Sequence, residues 1–160
     1  MTDDTASLIA ALESPTVKTR REAVLRLGKS GSPDAVGPLI RMLSDNHQAV
    51  RTEAAAALGK LDDDRAVPAL IEALADSDPD VRAGAVSSLG RLKDRRATIP
   101  IARCLEDKDD RIRAGAAEVL GSLGDQRAAG PLQIARDDPF EGVREAADRA
   151  LTRIRKRHIP

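Results

Sequence analysis

One spacing dominates the chain. The stretch DPDVRAGAVSSLGRL at 78–92 returns as DDRIRAGAAEVLGSL at 109–123, 31 residues later and without a gap. The step holds through the rest of the sequence. Arg20, Arg51, Arg82, Arg113 and Arg144 form one row. Ala23, Ala54, Ala85, Ala116 and Ala147 form a second, and Leu27, Leu58, Leu89, Leu120 and Leu151 a third. Gly28, Gly59, Gly90 and Gly121 follow four of those leucines, and Thr152 breaks the row. Self-similarity at a fixed period of this size specifies a repeat architecture, in which each unit buries its apolar face only against its neighbours.

Each unit holds two helical patterns. Val50, Ala54, Ala57, Leu58 and Leu61 recur at the three-to-four-residue spacing of one helix face. A shorter pattern precedes it, Leu39, Ile40 and Leu43, repeated as Leu70, Ile71 and Leu74. This one opens near Pro38, Pro68, Pro100 and Pro131, where a first-turn proline costs no hydrogen bond. Polar turns such as ADSDPD lie between the two helices and supply Asp or Ser oxygens for capping. Helices of about ten residues are marginal alone in water, so the pairs must stack. The chain holds one Phe and no Trp or Tyr, so the stack has an aliphatic core. The expected fold is all-α: an α-α superhelix of about five helical hairpins in one domain over 1–160. Its units fall at roughly 5–34, 35–65, 66–96, 97–127 and 128–158. In the fifth unit, DDPFEGVRE moves the proline two positions earlier relative to Val143, which predicts a longer turn with Phe140 packed beneath it. The charges around the apolar seam of the last helix, from Val143 to Arg157, suit a terminal unit.

The unit VPALIEALADSDPDVRAGAVSSLGRLKDRR at 67–96, with its flanks, resembles a HEAT repeat. More narrowly it is similar to the short HEAT-like units, about 31 residues long, of phycobilisome-lyase subunits, over residues 5 to 157. The resemblance implies a right-handed solenoid whose second helices line a concave, partner-holding side. It also implies that the repeated Arg and Asp residues tie neighbouring units together. Pairing of the Arg row with Asp45, Asp76 and Asp107 is therefore expected, in preference to an oxyanion-binding ladder.

The candidate site is the face of the second helices turned away from the apolar seam. Positions 52, 53, 56 and 60 and their equivalents form four rows. Their middle is small (Ala83, Gly84, Ser87, Gly115) and their flank basic (Lys29, Lys60, Arg91, Arg153). Gly84 and Gly115 stand at mid-helix, where glycine costs about 1 kcal/mol relative to alanine. Either adjacent helices approach too closely for a Cβ, the favoured explanation, or a partner's backbone does. A partner-binding surface is expected at Thr52, Glu53, Lys60, Ala83, Gly84, Ser87, Arg91, Gly115 and Glu118.

The other function classes find less. Lys+Arg and Asp+Glu balance at 26 each, so no net charge draws the chain to nucleic acid or membrane. The tail residues Arg153, Arg155, Lys156, Arg157 and His158 make a local basic cluster, read first as favourable charge at a helix C-terminus. Without aromatic residues, base stacking lacks a platform. His47 and His158 are far apart along the stack, so no nucleophile–base pair or metal set forms. The carboxylates at 62–64 and 106–110 read as solvated turn charges and caps. Cys104 reads as a small buried hydrophobe. No apolar run reaches the roughly 20 residues that span a bilayer, and the start lacks a secretory leader's basic flank. The expectation is a cytoplasmic, monomeric, non-enzymatic scaffold for a protein or peptide, with no cofactor. The alternatives are a chaperone-like subunit of a bilin lyase and a nucleic-acid binder using the basic rim and tail.

Overall fold

The computed structural model describes residues 2–157. The chain divides into two compact units, Met1–Leu92 and Lys93–Pro160. Among the described residues every regular element is helical.

The N-terminal unit contains α1 (Thr2–Ala11), α2 (Val17–Ser30), α3 (Val36–Met42), α4 (Gln48–Leu61), α5 (Val67–Ala73) and α6 (Pro79–Leu92). The long helices α2, α4 and α6 lie side by side, and α1, α3 and α5 pack against α2, α4 and α6 respectively. Leu27, Leu58 and Leu89 of the long helices and Leu39 and Leu70 of the short ones are fully buried. Complete burial of each such leucine stabilises by roughly 1.5–3 kcal/mol. The C-terminal unit repeats the plan with α7 (Thr98–Arg103), α8 (Asp110–Leu123), α9 (Ala129–Ala135) and α10 (Glu141–Arg157). There α8 lies against α10, α7 against α8 and α9 against α10. Leu120, Ile101 and Leu132 are fully buried. Cys104 is buried too, at the start of a 3-10 turn that continues α7.

The connections are as periodic as the helices. Gly31, Asp62, Lys93 and Gly124 all adopt left-handed backbone, with φ between 53° and 66°. A 3-10 turn follows each, and its first residue is preceded by a capping side chain. Ser32 Oγ accepts from the Asp34 amide at 3.3 Å, and Asp63, Asp94 and Asp125 accept from the amides of Arg65, Arg96 and Arg127 at 2.7–3.0 Å. The turn between the two helices of a hairpin is closed by a second set of aspartates. Asp45, Asp76, Asp107 and Asp138 accept from the amide two residues on, at 2.8–2.9 Å.

The fifth-unit irregularity leaves this turn unchanged, contrary to expectation. Residues 136–140 separate α9 from α10, as 43–47 separate α3 from α4. The displaced Pro139 enters the turn itself, and Asp138 still makes its amide bond. Phe140 is not packed beneath the turn. It is 51% exposed, with the Arg113 guanidinium 5.3 Å above its ring. The cation covers one face of the ring, so the site needs no apolar pocket.

Candidate functional site

The arginine row is structural. Arg20, Arg51 and Arg113 each grip an aspartate 25 residues on with two nitrogens: Asp45 at 2.7 and 2.9 Å, Asp76 at 2.8 and 2.9 Å, Asp138 at 2.7 and 3.0 Å. The remaining nitrogen of each turns back to a carbonyl six residues earlier, Ser14, Asp45 or Asp107, at 2.8–2.9 Å. Arg82 and Arg144 make the same backward bond to Asp76 and Asp138, at 2.9 Å. One guanidinium thus closes its own turn and clips the next one, with the bidentate geometry for which arginine is suited. The side chains of Arg20, Arg51 and Arg113 are largely buried in these pairs, which removes them as rungs of an anion-binding ladder. The Arg51 and Arg113 hydrogen bonds hold the Asp76 and Asp138 carboxyls below the ordinary range, against the upward push of burial. At Asp45 burial pushes up most strongly, yet Arg20 and the His47 amide still leave it lowered.

A second set of arginine clips escaped the sequence reading. In Asp63-Asp64-Arg65, Asp94-Arg95-Arg96 and Asp125-Gln126-Arg127, the arginine pairs with the aspartate that caps its own amide, at 2.6 Å. Arg65 also donates to the Pro33 carbonyl and Arg127 to that of Arg95, both at 2.9 Å and 32 residues back. The Asp-x-Arg spacing was visible in the sequence as a signal. Asp125 differs from its counterparts because buried Thr98 also donates to it, at 3.0 Å. Arg127, the Arg127 amide and Thr98 together outweigh burial and hold the Asp125 carboxyl far below the usual carboxylate range.

The expected site residues divide between the two units. In the N-terminal unit, Thr52, Glu53, Ala83 and Gly84 are half-buried, and Lys60, Ser87 and Arg91 are exposed. They share the solvent side of α4 and α6. Glu53 accepts from Arg21 of α2 at 2.9 Å, and its other oxygen is buried without a partner. Thr52 donates back to the Gln48 carbonyl at 3.0 Å. In the C-terminal unit Gly115 is half-buried and Glu118 exposed on α8, with Arg149 of α10 3.4 Å from Glu118.

Close packing does not explain Gly84 and Gly115. A Cβ on Gly84 would lie 3.5 Å from Ala55 Cβ and 3.7 Å from the Thr52 carbonyl, which is ordinary contact. On Gly115 it would meet no heavy atom within 4 Å. The glycines that close packing does require include Gly28, Gly59 and Gly121, each of which follows a leucine of the repeat row. A Cβ on Gly28 would sit 2.6 Å from Ala57 Cβ, and one on Gly121 the same distance from Ala150 Cα. On Gly59 it would fall 2.7 Å from Ser88 Cβ, with Ser88 Oγ nearer still. Ser88 Oγ donates to the Ala55 carbonyl at 2.8 Å, which locks that contact.

Two further titratable side chains act as helix caps. His47 Nδ1 accepts from the Ala49 amide at 3.2 Å as the N-cap of α4. Asp109 caps α8. Among the described residues no group of three or more His, Cys, Asp or Glu side chains is placed to hold a metal ion. No helix there is long and apolar enough to cross a membrane. Of the C-terminal basic cluster, Arg153, Arg155, Lys156 and Arg157 are exposed, Arg157 donates to the Leu123 carbonyl at 3.1 Å, and His158 lies outside the described residues.

Comparison with known proteins places this geometry. The structure of the complex of CpcE and CpcF of phycocyanin lyase from Nostoc sp. PCC7120 matches with a TM-score of 0.83 and 30% identity over 95% of this chain. The chain spans 65% of the length of that protein. A designed armadillo repeat protein in complex with the peptide (KR)4 matches at 0.74, with 18% identity over 92% of this chain and 80% of the other. Human deoxyhypusine hydroxylase matches at 0.52, with 18% identity over 95% and 84%. At such identities these last two show the fold alone, an all-α solenoid of helical hairpins. No curated protein matches the sequence. The family described as HEAT repeats matches residues 5–80 and 67–152. With its repeat row, its arginine clips and that match in agreement, the chain belongs to the HEAT-repeat family.

Proposed function

We propose that the chain is a non-enzymatic scaffold that holds a protein or peptide on the solvent face of its second helices. Thr52, Glu53, Lys60, Ala83, Gly84, Ser87 and Arg91 supply this face in the N-terminal unit, and Gly115 and Glu118 supply it in the C-terminal one. The observation that carries the reading is the pair Gly84 and Gly115. Each occupies mid-helix at a cost of about 1 kcal/mol, and neither has a neighbour that a Cβ would strike. A bare, half-exposed helix surface lets a partner's backbone approach. The buried arginine clips keep that surface in shape before binding, so little entropy is lost in forming it. The named complex of CpcE with CpcF, the 30%-identical relative, is itself an association of two proteins.

The test is capture from native lysate with wild type beside Gly84→Arg/Gly115→Arg. Both positions have room, so the double variant folds with unchanged helix content and loses the captured partner. A folded variant that keeps every partner of the wild type sinks the reading. The likeness to phycocyanin lyase favours one further reading, a chaperone-like subunit of a bilin lyase. A change in bilin visible absorbance on titration with the protein would support it, and an unchanged spectrum would remove it.

A further inference from the structure

In the C-terminal unit the short helices α7 and α9 flank a groove of about 450 Å³. In the N-terminal unit α3 and α5 flank one of about 360 Å³. The two linings occupy the same positions two repeats apart, and the α7–α9 groove adds Ile99. The fold of the hairpins is common to both, so the side chains set the grooves apart.

Those side chains differ in two respects. The α7–α9 groove is more apolar at its surface. Ile134 is 77% exposed where the other units carry Arg41, Glu72 and Arg103, and Ile99 is 39% exposed in the row of Gly37, Pro68 and Gly130. The repeat therefore accepts charge at the one place and no side chain at the other, and packing explains neither isoleucine. Exposed apolar surface gathered beside a groove marks an interaction site. The groove is also more acidic. Glu106 and Asp137 stand where the α3–α5 groove has Ser44 and Ala75. Both are exposed, and among the described residues neither makes an ion pair or a side-chain hydrogen bond.

These carboxylates lie at the C-terminal ends of their helices, Glu106 closing the 3-10 turn after α7 and Asp137 just beyond α9. Negative charge is disfavoured there by the helix dipole, and no cation in the folded unit offsets it. Arg103 is common to both grooves, as Arg41 is in the other. Glu72 balances Arg41 across the α3–α5 groove, and Ile134 takes the place of that glutamate here. Asp138, also in the lining, is held by Arg113. One free cation thus stands against two free carboxylates.

We infer that the α7–α9 groove docks a basic, apolar segment of a protein partner. A large aliphatic side chain of that segment covers Ile99 and Ile134, and a Lys or Arg beside it meets Glu106 and Asp137. The surface belongs to first helices and is independent of the second-helix face proposed above. Charge selects this occupant over a second copy of the chain, because a symmetric pairing sets the same patch against itself and would oppose one carboxylate excess with another.

The probe is a peptide of three Leu-Ala-Ala-Lys repeats, built from strong helix formers, titrated into the whole 15N-labelled chain and followed by amide shifts. Peptides of Leu-Ala-Ala-Glu and Ala-Ala-Ala-Lys repeats test the charge and the apolar side chain separately. Shifts are expected along α7 and α9 and in the turns that follow them, weaker with either control and absent from α3 and α5. Ile134→Arg should weaken binding about tenfold or more, because it removes an isoleucine that binding buries. Glu106→Ser/Asp137→Ala should weaken it about fivefold, from two exposed ion pairs. Each variant installs residues that other units carry at those positions, and circular dichroism checks that both fold. Should one lose its helix content, the other carries the test. Equal binding of the glutamate peptide, equal shifts at α3 and α5, no shift at millimolar peptide, or a folded variant that binds unchanged would overturn the inference. Sedimentation of the chain alone as a dimer that Ile134→Arg dissolves would overturn it too, by giving the groove to a second copy.

Discussion

Gly121→Ala and Gly115→Ala insert the same methyl group into the same helix, and their stability effects should have opposite signs. At Gly121 the new Cβ would fall 2.6 Å from Ala150 Cα and 2.8 Å from Ala150 Cβ. Ordinary contact begins near 3.4 Å, so α8 and α10 must separate by most of an ångström. The obstacle is backbone, which cannot swing aside as a long side chain does. Forcing a methyl group into such a core costs typically 1–3 kcal/mol, and the upper half of that range applies here. The gain in helix propensity returns about 1 kcal/mol, leaving a net loss of roughly 1–2 kcal/mol. At Gly115 no atom lies within 4 Å, so only the propensity gain remains, up to about 1 kcal/mol. Urea unfolding followed by circular dichroism measures both, since the chain has no Trp or Tyr fluorescence to follow. The midpoints should bracket the wild type, with the two variants separated by about 2–3 kcal/mol at a common m-value, or several degrees in Tm. Equal midpoints, or a more stable Gly121→Ala, would refute the assignment of close packing to the glycines after the leucines.

Arg51→Ala strips the largely buried Asp76 of its two-pronged partner and also loses the bond to the Asp45 carbonyl. Stability should fall by about 3 kcal/mol, measured by the same unfolding, and Arg51→Lys should recover only part of it. Thr98→Val removes one of the bonds to Asp125 at a site where the equivalent residues are Val36 and Val67. A loss of about 1 kcal/mol is expected, with native helix content by circular dichroism. Stability should also depend on acid. Asp76, Asp125 and Asp138 lie below their ordinary values in the folded chain, whereas unfolded carboxylates titrate near 3.9. Between those values the unfolded chain binds more protons, so stability rises with pH there. Their contribution is complete above about pH 5 and falls away below about pH 4. The urea midpoint at about pH 3 should lie well under that at about pH 6, and the gap should shrink in Asp125→Asn.

The sequence by itself determined the local and periodic parts of this protein. A 31-residue recurrence of Leu, Ala and Arg dictates helical hairpins that cannot stand alone, and the matching period of Asp45, Asp76 and Asp107 foreshadows the clips between turns. Those are nearest-neighbour relations, and a repeat writes them once per unit. Only the tertiary structure decided which bare positions are crowded. Gly28, Gly84, Gly115 and Gly121 are alike as letters on a helix, and a Cβ at Gly121 strikes Ala150 while one at Gly115 meets open space. The same holds for Phe140, which the pattern would bury and the Arg113 guanidinium instead covers at the surface. A residue's spacing along the chain sets which side of a helix it occupies. The separation between helices is a sum over through-space contacts, and that sum is what makes one glycine a packing requirement and leaves another with open space beside it.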